Sequence, residues 1–225
     1  MTLLDFPGKV ACTVFLGGCN FRCPFCHNFE LVDGTMAPQM DDAALLAFLS
    51  RRRGLLDGVC VTGGEPTLRK DLPQLLREIK ALGYAVKLDT NGTDPDAVAA
   101  LAADGIVDYV AMDFKNSPER YAETVGAEPT SFAAMLGLIR RTAALILAGK
   151  VDGEFRTTVV AGLHDADSIR SIGAEIRGAK RYFLQPFVDR DTVPQRGLSA
   201  PDDAEMDVLL AAAREFVPAA EIRGR

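Results

Sequence analysis

No stretch of this 225-residue sequence is apolar for long enough to cross a bilayer; the longest purely apolar run near its middle is only Ala143–Ala148. No basic stretch leads into an apolar signal region at the N-terminus, so a cytoplasmic location without a membrane partner is expected. Positive charge is not in excess either. With 25 Lys and Arg against 31 Asp and Glu the formal net charge is −6, which argues against nucleic acid as a partner. Linkers, internal repeats and low-complexity tracts are also missing, and the length suffices for one full core, so a single domain over 1–225 is expected. The five cysteines are an odd number, and a reducing compartment disfavours disulfides. Clustered cysteines here point to metal binding or chemistry instead.

What is present is a regular alternation. Short β-rich runs at Val10–Leu16, Val59–Thr62, Ala85–Asp89, Tyr109–Asp113, Phe155–Val160 and Tyr182–Pro186 are separated by segments of helical period. Asp41 is placed to cap a helix through about Arg52, and Asp71 to cap one carrying Leu72, Leu75, Leu76 and Ile79 on one face. Pro95 suits the first turn of a helix that stops near Gly105, and further helices are expected over Ser131–Ala148, Asp165–Arg177 and Asp202–Phe216. The segment Asp189–Pro201 reads as an exposed loop. Strands this apolar suit a parallel sheet covered by helices, hence an α/β fold, either an open doubly wound sheet or an incomplete barrel. Periodicity does not separate the two, and both place ligand chemistry at the C-terminal ends of the strands.

The first strand runs directly into Gly17-Gly18-Cys19-Asn20-Phe21-Arg22-Cys23-Pro24-Phe25-Cys26-His27-Asn28. Three cysteines spaced four and then three apart wrap a short loop around one metal centre, with soft thiolate ligands suited to zinc or iron–sulfur. The zinc alternative would take His27 as fourth ligand, but structural zinc sites draw ligands from two separated pairs, and adjacent Cys26 and His27 are awkwardly placed to share an ion. Cys12 and Cys60 lie inside strands and read as buried apolar residues. Three cysteines would leave one iron of a cubane without a protein ligand, an open position of the kind that marks catalytic metal sites.

Cys-x3-Cys-x2-Cys with Phe25 just before the last cysteine resembles the signature of radical S-adenosylmethionine (SAM) enzymes. The resemblance implies a partial (β/α)6 barrel, one 4Fe–4S cluster on Cys19, Cys23 and Cys26, and SAM on the open iron, cleaved by one electron to methionine and a 5′-deoxyadenosyl radical. Later strand ends agree. Gly63-Gly64-Glu65-Pro66, by itself a common turn, resembles the family's GGEP motif, whose backbone and glutamate bind the SAM amino group. Asp89-Thr90-Asn91-Gly92 and Asp113-Phe114-Lys115 resemble the Asp-Thr-Asn-Gly and Asp-x-Lys motifs of glycyl-radical-enzyme activases. There they surround the SAM methionine and ribose, and a monovalent cation at Asp89, Thr90 and Asp113 would be implied. Arg156 and His164 resemble residues near the ribose or carboxylate, although a strand arginine also serves in ion pairs and a histidine at a helix entry is commonly solvent-facing. His27 and Asn28 match a Cys-His-Asn ending common among activases, near SAM and the peptide. Ala161-Gly162 stands where related enzymes carry a proline, which bears on loop stiffness.

The opening Leu4-Asp5-Phe6-Pro7-Gly8-Lys9-Val10-Ala11-Cys12 resembles activating proteins of anaerobic ribonucleoside-triphosphate reductase. That implies a glycyl radical enzyme as partner and a flavodoxin or ferredoxin-type electron donor. Pyruvate formate-lyase activase and a small-molecule enzyme such as 7-carboxy-7-deazaguanine synthase are the alternatives. Only Cys60 lies between the cysteine loop and Gly63, so a single cluster is expected.

Overall fold

A computed structural model of the chain describes residues 1–224. Seven strands form one sheet: β1 (Ala11–Leu16), β2 (Gly58–Gly63), β3 (Ala85–Thr90), β4 (Tyr109–Asp113), β5 (Asp152–Val159), β6 (Tyr182–Pro186) and β7 (Ala220–Ile222). Every neighbouring pair is parallel and the spatial order is the sequence order, β1 through β7. A doubly wound sheet reverses direction at a switch point. Here each crossover steps the same way, so with right-handed connections all the helices fall on one face. No pairing joins β1 to β7 among the described residues. The molecule is therefore the barrel alternative, left open along one side.

The helices are α1 (Phe29–Val32), α2 (Asp42–Ser50), α3 (Leu72–Ala81), α4 (Pro95–Ala103), α5 (Tyr121–Thr124), α6 (Pro129–Leu147), α7 (Ala166–Glu175) and α8 (Asp203–Arg214). None is long and apolar enough to cross a membrane. Asp41, Asp94, Asp165 and Asp202 accept backbone N–H bonds that the first helical turns leave open. Asp71 departs from expectation: α3 does start at Leu72, but the Asp71 carboxylate makes no cap and pairs with Arg69 instead. Other boundaries move by one to three residues, most at β5, which begins at Asp152 rather than Phe155, and at α6, which begins at Pro129 rather than Ser131.

Helices cover only the outer face, so the strands alternate rather than being apolar on both sides. Val59, Val61, Val86, Leu88, Val110, Met112 and Phe155 join the helix-facing core with Leu72, Leu75, Leu76 and Ile79. The residues between them, Cys60, Lys87, Asp89, Asp113, Glu154 and Arg156, face inward by the two-residue period of a strand. At the N-terminal end of the strands Phe6 closes the interior against Tyr109 and Ala11.

Strand β7 was not expected, being too short for a periodic signal. It delivers Arg223, whose backbone N–H bonds to Leu184 O at 3.0 Å. The Arg223 guanidinium lies 3.5 Å over the Phe183 ring and forks onto Glu154 at 2.7 and 2.9 Å. Glu154 is fully buried and also accepts from the Tyr109 hydroxyl at 2.9 Å. Burial opposes ionisation of Glu154, but the Arg223 hydrogen bonds and charge outweigh it and hold the carboxyl below the ordinary glutamate range. Arg223→Ala strands a buried carboxylate and is expected to cost about 3 kcal/mol in denaturant unfolding, at the lower end for a broken buried pair because the arginine is partly exposed. A folded-state pKa below the unfolded one means that this contribution is full above the unfolded value and fades as pH falls through the folded one. The difference between parent and variant should therefore narrow in acid; a cost that is small at neutral pH, or that grows in acid, would contradict the assignment.

Candidate functional site

The C-terminal ends of the strands enclose a cavity of about 460 Å³. That is far larger than one ion needs and within the range, roughly 300–1,000 Å³, of small-molecule sites. Its wall begins with the cysteine loop. Leaving β1, the chain turns at Gly18, whose N–H bonds to Leu31 O at 2.8 Å and whose carbonyl accepts the Glu65 N–H at 2.8 Å. Arg22 reaches back to the carbonyls of Cys19 and Phe21 at 2.7 and 2.8 Å, and its own N–H bonds to Val125 O. From the far side, the segment after β6 clasps the loop: Gln195 N–H bonds to Pro24 O, and the Thr192 hydroxyl donates to His27 O at 2.7 Å.

Cys19, Cys23 and Cys26 all line the cavity. Burial pushes all three thiols up, Cys23 to about 12, while the positive charge of Lys115 works in the other direction on each. Among the described residues no three His, Cys, Asp or Glu side chains converge on a single ion. The zinc alternative needs such convergence, whereas a cubane presents a different iron to each cysteine. Soft donors, a shared cavity wall and a nearby cation fit a 4Fe–4S cluster. His27 does not act as a fourth ligand through Nε2, which donates to Val188 O at 2.6 Å, and its ring stacks on Phe187.

The same cavity wall carries a ladder of charges. Arg156 on β5 donates from Nε to Asp113 Oδ1 at 2.8 Å and from Nη1 to Asp89 Oδ2 at 3.1 Å. Lys115 donates to Asp113 Oδ2 at 2.9 Å, and Lys87 pairs with Asp89 Oδ1. Burial alone would raise both carboxyls; Arg156, with Lys115 at Asp113 and Lys87 at Asp89, overrides it and holds both below the usual range.

Phe25, His27, Asn28, Gly63, Gly64, Asp89, Thr90, Asn91, Asp113, Lys115 and Arg156 all line the cavity. Glu65 and His164 do not. The Glu65 carboxylate is buried and accepts from Thr67 N–H, Thr67 Oγ1, Thr90 Oγ1 and Asn91 N–H, so it ties two strand-end loops together. His164 is neither solvent-facing nor on the wall: Nδ1 accepts the Val160 N–H at 3.1 Å and Nε2 donates to Lys115 O at 2.8 Å. Burial lowers its pKa, consistent with a neutral ring bridging two loops. The wall also takes Asp5 from the opening segment, Thr158 and Gln185 from strands five and six, and Thr62 and Phe15, register partners that the strand alternation could have found; Arg190 carried no signal.

The two glycines before Glu65 have a steric reason. Gly63 has φ +122°, and a Cβ on Gly64 would run into the Gly18 carbonyl oxygen. Gly64→Ala should therefore push the cysteine loop off β2. The expected result is a lower melting temperature together with loss of iron uptake on anaerobic reconstitution, and a variant that takes up iron like the parent would show the contact to be dispensable.

Comparison with known proteins gives the same picture. A protein of Methanocaldococcus jannaschii, provisionally named a glycyl-radical enzyme activating enzyme, is 29% identical over 231 residues, covering 99% of this chain and 92% of that protein. The 7-carboxy-7-deazaguanine synthase of Neisseria meningitidis serogroup B is 36% identical over 108 residues, but this covers only 48% of this chain and 45% of that enzyme. Among solved structures, Streptococcus suis SuiB bound to S-adenosylmethionine superimposes with a TM-score of 0.70 over 98% of this chain. The chain spans about half of SuiB (51%), and at 14% identity the likeness speaks for the fold alone. Residues 13–167, more than half of the chain and inclusive of the cysteine loop and the first four strand-end motifs, match the model of the Radical SAM superfamily. The chain belongs to the radical SAM superfamily.

Proposed function

We propose that this chain, acting as one radical SAM domain, is an activase that installs a glycyl radical on a separate protein. The observation that carries this reading is the end-to-end likeness to the M. jannaschii protein, at 99% and 92% coverage, where the deazaguanine synthase likeness reaches only about half of either chain. Membership of the superfamily implies a 4Fe–4S cluster and SAM. When bound, these supply one-electron cleavage of the sulfonium and abstraction of a hydrogen atom.

The residues would divide the work as follows. Cys19, Cys23 and Cys26 would hold three irons, with Phe25 packed behind the loop against His164. Arg156 and Lys115 would meet the SAM carboxylate, because they bring positive charge to the wall beside the thiols. The backbone of Gly63 and Gly64, with Asn91 and Thr90, would take the amino group and ribose, while Glu65 keeps these two loops in register. Asn28, whose amide donates to Gly63 O at 3.2 Å, would fix the cysteine loop to that edge. The side left without strand pairing between β1 and β7 would admit a loop of the partner carrying the target glycine, held close enough for hydrogen transfer. The partner we favour is an anaerobic ribonucleoside-triphosphate reductase, on the resemblance of Leu4–Cys12, with a flavodoxin or ferredoxin-type protein as electron donor.

Two measurements test this. Anaerobic reconstitution of the parent should give a brown, air-sensitive protein with about four irons per chain. Cys23→Ser should lose the cluster, while Cys60→Ser, at a buried position outside the cavity, should keep it. A chain that takes up stoichiometric zinc but never iron would sink the assignment.

The second measurement is electron paramagnetic resonance of the reduced protein mixed with SAM and a candidate reductase. A glycyl-radical doublet should appear and should vanish when the partner's glycine is replaced by alanine. If no reductase or lyase gains a radical while a small molecule drives SAM cleavage, the activase reading fails and the small-molecule reading replaces it.

A further inference from the structure

Lys87 is almost completely buried, 1% exposed, in the middle of a parallel sheet. An ammonium ion in such a place costs several kcal/mol, of order, unless it is paired and hydrogen-bonded. Its Nζ is hydrogen-bonded to Asp89 Oδ1 and lies 3.6 Å from Cys60 Sγ. Asp89 Oδ2 belongs to Arg156, Asp113 Oδ1 to Arg156 as well, and Asp113 Oδ2 to Lys115. Each of the four carboxylate oxygens thus faces a cationic nitrogen of the chain itself. Thr90, the third residue at which a monovalent cation would be implied, donates its hydroxyl to Glu65 and accepts the Gly92 N–H at 3.0 Å.

The charges decide what this cluster can accept. Within this ladder three cations, Lys87, Lys115 and Arg156, stand against the two carboxylates they bond, Asp89 and Asp113 (3 − 2 = +1), while the buried Glu154 beside them is balanced by Arg223 and the Glu65 carboxylate is taken by Thr67, Thr90 and Asn91. An added alkali cation would double that surplus within the ladder and would find each carboxylate oxygen already facing a cationic nitrogen. A ligand carboxylate would cancel it. We infer that the ammonium group of Lys87, together with Arg156, is the built-in counter-ion of this site, so that the chain binds its anionic ligand group without potassium or sodium.

Lys87 does not line the cavity, so it acts as a positioning residue: it sets the Asp89 carboxylate, which in turn sets Arg156. That the ligand group is the SAM carboxylate rests on the proposed function above, whereas the counter-ion role concerns the protein alone. The two are tested separately.

First, the cluster-free protein is melted in potassium, sodium or choline chloride at equal ionic strength. The parent should melt at the same temperature in all three. Lys87→Met, which keeps an unbranched side chain of similar bulk but leaves Asp89 Oδ1 with only the weak Cys60 thiol donor at 3.6 Å, should melt lower in choline and regain part of the loss in potassium or sodium. A parent stabilised by potassium or sodium, saturably and over choline, overturns the inference; this holds even if the variant fails to fold. So does a variant that matches the parent in choline.

Second, SAM binding to the anaerobically reconstituted proteins is followed by equilibrium dialysis. The parent should bind equally in the three salts. Lys87→Met should bind on the order of tenfold more weakly in choline, as for loss of a charged hydrogen-bond partner, and recover with potassium or sodium. If the parent binds SAM only with potassium or sodium, the inference fails. If no salt supports SAM binding by the parent, the SAM reading of the site fails and the melting curves alone decide the role of Lys87.

Discussion

Arg156 reaches from β5 to carboxylates on two other strands, and much of the site's geometry follows from that one side chain. Asp113 is its register partner on β4, while Asp89 stands one strand further on. Bridging them fixes three adjacent strand ends relative to one another with charge-assisted bonds in a low-dielectric interior, where such bonds are strong and unpaired groups are costly. Lys115 and Lys87 complete the ladder at either end. Among the described residues no buried side-chain nitrogen or oxygen is left without a partner. An interior so fully matched explains how a barrel can hold charged groups where most barrels hold layers of Val, Ile and Leu.

The remaining wall depends on backbone packing rather than charge. The cysteine loop is short and has little regular structure of its own. It is held by Gly64 under Gly18, by Arg22 folded back on its carbonyls, and by the segment after β6 laid across Pro24 and His27. Each contact comes from a different part of the chain. Loop positions that depend on such distant contacts are set only when the barrel has closed as far as it does. The two halves of the site therefore rest on different physics: steric exclusion at the thiols, electrostatic matching at the strand ends.

The likeness to SuiB extends over nearly this whole chain and about half of SuiB, so the shared part is the barrel with its strand-end loops. On such a scaffold the chemistry resides in the residues at the C-terminal edge, and differences in partner or substrate are carried by what surrounds the opening. Here that surround includes Phe15, half exposed on the edge strand β1, and Arg190 in the loop after β6.

Much of this was readable in advance. Six of the seven strands, the Asp41 cap and the strand-end motifs follow from short-range rules, since alternation, caps and turn residues act within a few positions, whereas the Asp71 cap was lost to Arg69. The short spacing of Cys19, Cys23 and Cys26 keeps their three thiols on one cavity wall, because residues that close together on a tight loop reach the same space. The choice of a singly wound, open barrel over a doubly wound sheet needed the spatial order of strands, on which local pattern is silent. So did the direction of individual side chains at the strand ends. Glu65 and His164 sit in motif positions, yet one turns inward to tie two loops and the other bridges backbone groups, because those polar groups were buried and required partners. Lys87 shows the same limit from the other side. In sequence it is one polar residue in an apolar run; only the pairing of β3 between β2 and β4 makes it a buried cation, since its burial and its pairing with Asp89 are properties of the assembled sheet.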